Sequence, residues 1–144
     1  MHPSLYPDHL PIPVEIPDIS EALPDGMTLL DEGELGEWDL SLVLSSGIEP
    51  DSRLPVVQAR AAARGWGGDK YQLFGSPEKN TDSVWVFCTA WDSIEDADEF
   101  MNTFTEYGDT RWSYGTLEKG DNQNTWTAGG IVHSIIKNGD GICW

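Results

Sequence analysis

Apolar residues recur along the chain with two spacings, in segments parted by glycine, proline or polar clusters. In residues 37–44, Trp38, Leu40, Leu42 and Leu44 alternate with Asp39, Ser41 and Val43. That period of two predicts a half-buried strand. Residues 83–91 are apolar on both faces: Val84, Val86, Cys88 and Ala90 on one, Trp85, Phe87 and Trp91 on the other. A strand covered on both sides belongs in the middle of its sheet. Between these segments, residues 54–64 predict a helix. Ala59, Ala61, Ala62 and Ala63 favour it, Val56, Ala59 and Ala63 share a face, and Gly65 is placed to cap its end.

Residues 69–75 predict a strand with Tyr71 and Leu73 opposite Lys70, Gln72 and Phe74, and Pro77–Asp82 a hairpin loop. A second helix is predicted over 93–107. Ile94, Ala97, Met101, Phe104 and Tyr107 have helical spacing, and Glu95, Asp96, Asp98 and Glu99 suit its N-terminal end. Gly108 is read as its stop. A short strand near Arg111–Gly115, a polar loop through Asn124 and a strand over 126–136 follow. Asn138-Gly139 then signals a tight turn into Ile142-Cys143-Trp144.

This order predicts an α+β fold: a ferredoxin-like βαββαβ antiparallel sheet with two helices on one face and a C-terminal β-hairpin. The domain would span 36–144. Residues 1–35 would be an extended, acidic arm, because six prolines fall within residues 1–26. Ile12, Val14 and Ile16 alternate with prolines and Glu15, so one edge of the arm is apolar and suited to lie along a surface.

Charge narrows the partners. The 144 residues carry 25 acids and 8 bases, a formal charge of −17, and residues 1–52 hold no Lys or Arg. Nucleic acid and anionic membrane are poor partners for such a surface. No apolar run reaches the roughly 20 residues of a membrane span, and the N-terminus lacks the basic and apolar regions of a signal peptide. The expectation is a soluble protein, cytoplasmic by default, with a mean hydropathy of −0.37.

Candidate chemistry is sparse. Cys88 and Cys143 have no metal-ligand spacing and read as buried thiols. A disulfide between them would need adjacent strands and an oxidising compartment. The histidines are His2, His9 and His133, and no HExxH occurs. Gly65-Trp66-Gly67-Gly68-Asp69-Lys70 could suggest a phosphate cradle. It follows a helix and enters a strand, so a cap and turn explain it better. The acids of 92–99 lack calcium-loop spacing. No catalytic residue, metal site or cofactor is therefore expected. The seven tryptophans stand out. Trp85, Phe87 and Trp91 are the candidate binding residues, forming an apolar sheet face turned away from the helices. That face would need cover from the arm, a second copy or a ligand. The expected partner is a protein or a homodimer mate, met through that face or the arm.

Several segments carry a family resemblance: His2-Pro3 with Tyr6, Pro13-Val14-Glu15-Ile16-Pro17-Asp18, Leu35-Gly36-Glu37, Ala61-Ala62-Ala63-Arg64-Gly65-Trp66-Gly67-Gly68-Asp69-Lys70-Tyr71, Ala90-Trp91-Asp92 and Asp96-Ala97-Asp98-Glu99-Phe100. In that order they resemble the C-terminal accessory region of bacterial and archaeal surface or lipoprotein-type proteins that look like zinc peptidases, with an HExxH helix upstream. The resemblance implies a non-catalytic accessory or binding domain of a larger or cell-surface assembly. No catalytic residue carries over, because the zinc motif is missing here. The alternatives are a fragment of such a hydrolase, or a ferredoxin-like dimeric enzyme holding a small ligand near His133.

Overall fold

The doubly apolar segment of residues 83–91 lies inside the sheet, and the rest is assembled outward from it. The computed structural model describes residues 10–47, 49–76 and 83–144. Its strands are β1 (Thr28–Gly33), β2 (Trp66–Gly75), β3 (Ser83–Trp91), β4 (Thr116–Lys119), β5 (Gln123–Ala128), β6 (Ile131–Asn138) and β7 (Gly141–Cys143). They form one seven-stranded sheet in the order β1-β2-β3-β7-β6-β5-β4, antiparallel at every pairing. Three α-helices accompany it among the described residues: α1 (Glu37–Ser45), α2 (Val56–Ala63) and α3 (Ile94–Arg111). The predicted Pro77–Asp82 loop lies outside the described residues, as do His2, Pro3, Tyr6 and His9.

This is not the ferredoxin-like βαββαβ arrangement. The expected first strand, residues 37–44, is helix α1. Its buried positions are Leu40, Ser41 and Leu44, a helical spacing, while Trp38 is 59% exposed. A short run with leucines at 40, 42 and 44 fits both periods, and leucine favours helix. The true first strand, β1, was hidden inside the expected arm. It is an edge strand, exposed or half-buried throughout, so no alternation marks it.

The second helix, α3, runs past Gly108 to Arg111, which removes the strand expected at 111–115. Gly108 does not stop the helix. A Cβ there would lie 2.7 Å from the Trp126 ring and 2.9 Å from Trp112, so glycine lets the helix approach the sheet. The polar stretch before Asn124 is β4 and the start of β5, whose pairing is carried by the backbone rather than by apolar side chains. The strand expected over 126–136 is broken at Gly129-Gly130. Both glycines have positive φ (61° and 81°), as a two-residue hairpin requires.

The helices cover the side of β3 that was expected to be bare. Phe87 and Trp91 are fully buried. Trp91 packs 4.7 Å from Phe100 and Phe87 4.5 Å from Trp144, centroid to centroid. Leu40 and Leu44 of α1, Ala59, Ala62 and Ala63 of α2 and Phe104 of α3 join the same core. The helix-free side is therefore the Val84–Val86–Cys88–Ala90 side. The arm crosses it at one known point: the Ile12 amide donates to the Gly67 carbonyl (2.7 Å). A Cβ on Gly68 would meet the Ile12 carbonyl oxygen at 2.1 Å, so only glycine admits the crossing.

Cys88 and Cys143 are directly opposed in β3 and β7, with Cα atoms 4.1 Å apart, and form a disulfide instead of two free thiols. The pairing was beyond the reach of the sequence reading, which had no sign that the C-terminal hairpin docks on β3.

Candidate functional site

The Gly65–Tyr71 segment is an architectural knot. Gly65 follows α2 with φ +83°, the left-handed turn its sequence predicts. Asp69 is buried in β2 and its carboxylate accepts three hydrogen bonds: Leu35 N–H (2.7 Å), Gly36 N–H (2.6 Å) and the Trp66 indole N–H (2.9 Å). It thereby ties the β1–α1 connection to the sheet. Lys70 pairs with Glu32 (3.4 Å) and the Tyr71 hydroxyl donates to Asp31 (3.0 Å), both in β1. Every polar side chain of the segment is engaged with its own fold, and no phosphate cradle is present there.

A second cluster surrounds His133. The imidazole stacks on Trp112 (4.1 Å between centroids, 14° between planes), and Trp112 leans on Trp126 (5.2 Å). The Arg111 guanidinium lies 5.7 Å from the centre of the Tyr107 ring. A shallow cleft of about 170 Å³ opens beside this cluster, lined by Asp109, Trp112, Ser113, Gly115, Leu117 and Trp126. Its carboxylate is already used: Asp109 accepts from the Trp126 indole (3.0 Å) and from Lys119 (2.9 Å).

Burial holds the His133 pKa below its ordinary value of 6.5, and the nearby Arg111 charge adds to the effect. The unfolded chain thus takes up this proton at a higher pH than the folded one. The contribution to stability is present above pH 6.5 and is lost as pH falls through the folded value. Thermal melts across this window should show the native protein losing more stability on acidification than His133→Gln. Parallel melting curves would refute the assignment.

Of the three residues expected to form a binding face, Phe87 and Trp91 have no surface left for a partner. Trp85 differs: it is 44% exposed and stacks on Tyr71 (4.8 Å, 11°). It stands where β3 runs beyond its neighbour β7. Of the three candidate residues, Trp85 alone keeps an exposed surface.

The seam follows from register. β7 pairs with β3 through Cys88–Ala90 and with β6 through Ile136–Asn138. The Phe87 and Trp144 backbones exchange two further bonds (2.7 and 2.9 Å). β7 pairs with neither Ser83–Val86 of β3 nor Ile131–Ser134 of β6. Backbone direction alternates along a strand. Phe87 and Trp91 both bond toward the β7 side, Trp91 to the Asp140 carbonyl (3.0 Å). Ser83 and Trp85 share their parity and so direct N–H and C=O toward the same side of β3.

On β6, the Lys137 amide bonds away from β7, to the Asn122 carbonyl (2.8 Å). Val132 and Ser134 have the opposite parity and direct their backbones toward the β7 side of β6. Val132 (64% exposed) and Trp85 are exposed apolar side chains on these stretches of β6 and β3.

Among the described residues, no three His, Cys, Asp or Glu side chains gather as a metal site would need, and no helix is long and apolar enough to cross a membrane. The model of one family, Domain of unknown function (DUF8575), matches residues 27–134, from the end of the arm to the middle of β6. The chain therefore belongs to the DUF8575 family. No curated protein and no solved structure matches it.

Proposed function

We propose that this chain is a non-catalytic binding domain that engages a protein partner. The observation that carries the reading is the open apolar surface at Trp85, 44% exposed, together with the edge strand β1, whose Leu29 and Leu30 are exposed. Open edges of this kind are usually blunted or covered, because they template pairing with another chain. The groups that could do chemistry are already engaged: Asp69 and Asp109 hold structural hydrogen bonds, and His133 is stacked on Trp112.

The disulfide supports an oxidising setting, since such bonds persist there and are rare in reducing cytosol. A place in a larger or cell-surface assembly fits both this chemistry and the resemblance to accessory regions of surface proteins. Elemental analysis and an absorption spectrum of the purified, oxidised protein test the non-catalytic reading. The expected result is no stoichiometric metal and no chromophore beyond the aromatic residues and the disulfide. A bound metal or coloured group at one per chain would overturn it in favour of an enzyme.

A further inference from the structure

We infer that the free edge of β4 accepts one extended segment of a partner protein as an added antiparallel strand, with one of its side chains seated in the cleft beside Trp112. This rests on the binding-domain reading, at a different place from the Trp85 surface, and specifies the chemistry of the partner. β4 ends the sheet, and all four of its residues are exposed. The Gly120 amide donates to the Gln123 carbonyl of β5 (2.7 Å). Thr116 and Glu118 share the parity of Gly120 and bond toward β5, so Leu117 and Lys119 direct N–H and C=O away from the sheet. The β4 register is regular, which suits a regular strand, whereas that of β1 shifts between Leu29 and Asp31. Charged residues often blunt an edge. Here Lys119 turns to Asp109 (2.9 Å) on the helix side and Glu118 lies on the other face, so neither crosses the edge. Main-chain bonds then supply affinity and the cleft supplies selectivity, as in other strand-addition complexes.

Leu117 joins this edge to the cleft. It is directly opposite Trp126, so its side chain lies on the helix side, where it walls the cleft of about 170 Å³ with Trp126 and Trp112. That volume is below the roughly 300 Å³ at which small-molecule pockets begin, and it has room for one side chain. Asp109 is already met by the Trp126 indole and by Lys119, so the cleft favours an uncharged aliphatic group such as leucine. In an antiparallel partner, the residue opposite Leu117 shares its face and enters the cleft. The residue before it lies opposite Glu118 on the helix-free face, where arginine or lysine forms an opposite-charge pair. The one before that meets Lys119, itself held by Asp109, and is polar and uncharged. The chain as a whole carries −17, so basic flanks on the partner segment speed encounter. A second copy is the poorer occupant, because it brings a further −17 and its own Glu118.

The probe is the synthetic peptide Lys-Thr-Arg-Leu-Thr-Lys, capped at both ends and titrated into the full, oxidised chain. Amide hydrogen exchange and calorimetry are the readouts. The amides of Leu117 and Lys119 should exchange freely in the protein alone and become protected with peptide, while that of Glu118, bonded to β5, should be slower in both states. N-methylation of the first Thr and the Leu of the peptide, whose N–H groups face β4, should weaken binding about tenfold or more. N-methylation of its Arg, whose N–H points away, should leave binding within about twofold. Replacing the Leu of the peptide by Asp should weaken binding about tenfold, because the cleft walls are apolar. Glu118→Arg, an exposed change, should weaken binding a few-fold, and a peptide with Glu in place of Arg should restore it.

Equal binding of the native peptide and the one N-methylated at Thr and Leu would overturn the proposal, because attraction would then be only electrostatic. No protection of Leu117 and Lys119 at millimolar peptide would overturn it as well. Protection of these amides without peptide, independent of concentration, would do the same, by showing the edge covered from within the chain. Protection that grows with protein concentration would replace the partner with a second copy. These outcomes leave the metal and chromophore test untouched, so the two readings fail separately.

Discussion

Asp69→Ala should cost about 3–5 kcal/mol of folding stability, one of the two largest losses expected from any change away from the aromatic core. The residue is buried and accepts from Leu35 N–H, Gly36 N–H and the Trp66 indole. Alanine leaves all three donors without their acceptor, and an unmatched buried donor costs about 1–3 kcal/mol. The donors are only partly buried, which keeps the sum below three full penalties. In thermal melting the loss should appear as a fall on the order of 10 °C. Asp69→Asn should be intermediate. One amide oxygen can replace the Oδ2 that receives Gly36 and Trp66, while its NH2 group then faces the Leu35 N–H. Chemical denaturation of both variants checks the order. A loss below about 1 kcal/mol for alanine would show that Asp69 is not the fastener described.

That residue also illustrates how far the sequence could be read. The Gly65–Tyr71 segment stood out in the sequence, and the cap-and-turn reading of Gly65 survives in its left-handed backbone. What it fastens did not show, because its partners lie 33 and 34 positions earlier and in the arm. The same boundary recurs elsewhere. Residues 83–91 were legible as an inner strand because β-branched and aromatic side chains fill both faces, and that strand has the predicted bounds. The face assignment was reversed, since alternation separates two sides of a strand without saying which one a helix will cover.

Helix α1 was misread because a short leucine-rich run satisfies both periods, and tertiary burial of Leu40 and Leu44 decides between them. Strands β1 and β4 left no trace because edge pairing uses backbone groups that every residue has. The candidate face was legible only in part: Trp85 stays exposed as expected, while Phe87 and Trp91 are buried because the helices pack on that side of β3, which alternation alone does not state.

The short seam is also why the disulfide matters. Reduction, or the double change Cys88→Ser with Cys143→Ser, should lower stability by about 4 kcal/mol, from closure of a loop of 55 residues in the unfolded chain. The fall in melting temperature should be on the order of 10 °C. The loss has a location. Among the described residues, β1-β2-β3 and β6-β5-β4 are two antiparallel half-sheets joined within the sheet through β7. Three residue pairs, the Phe87–Trp144 exchange and the disulfide hold β7 to β3. Without the covalent link, the amides of β7 should exchange faster than those of the β2–β3 pairing, where nine pairs are in register. Trp144 still packs against Phe87 and Phe104, so the reduced chain should remain folded with a loosened seam. Calorimetry with and without reductant, paired with hydrogen exchange, measures both effects. Equal melting temperatures, or uniform acceleration over the whole sheet, would show that β7 is held by its packing and that the link between Cys88 and Cys143 is incidental to the joint.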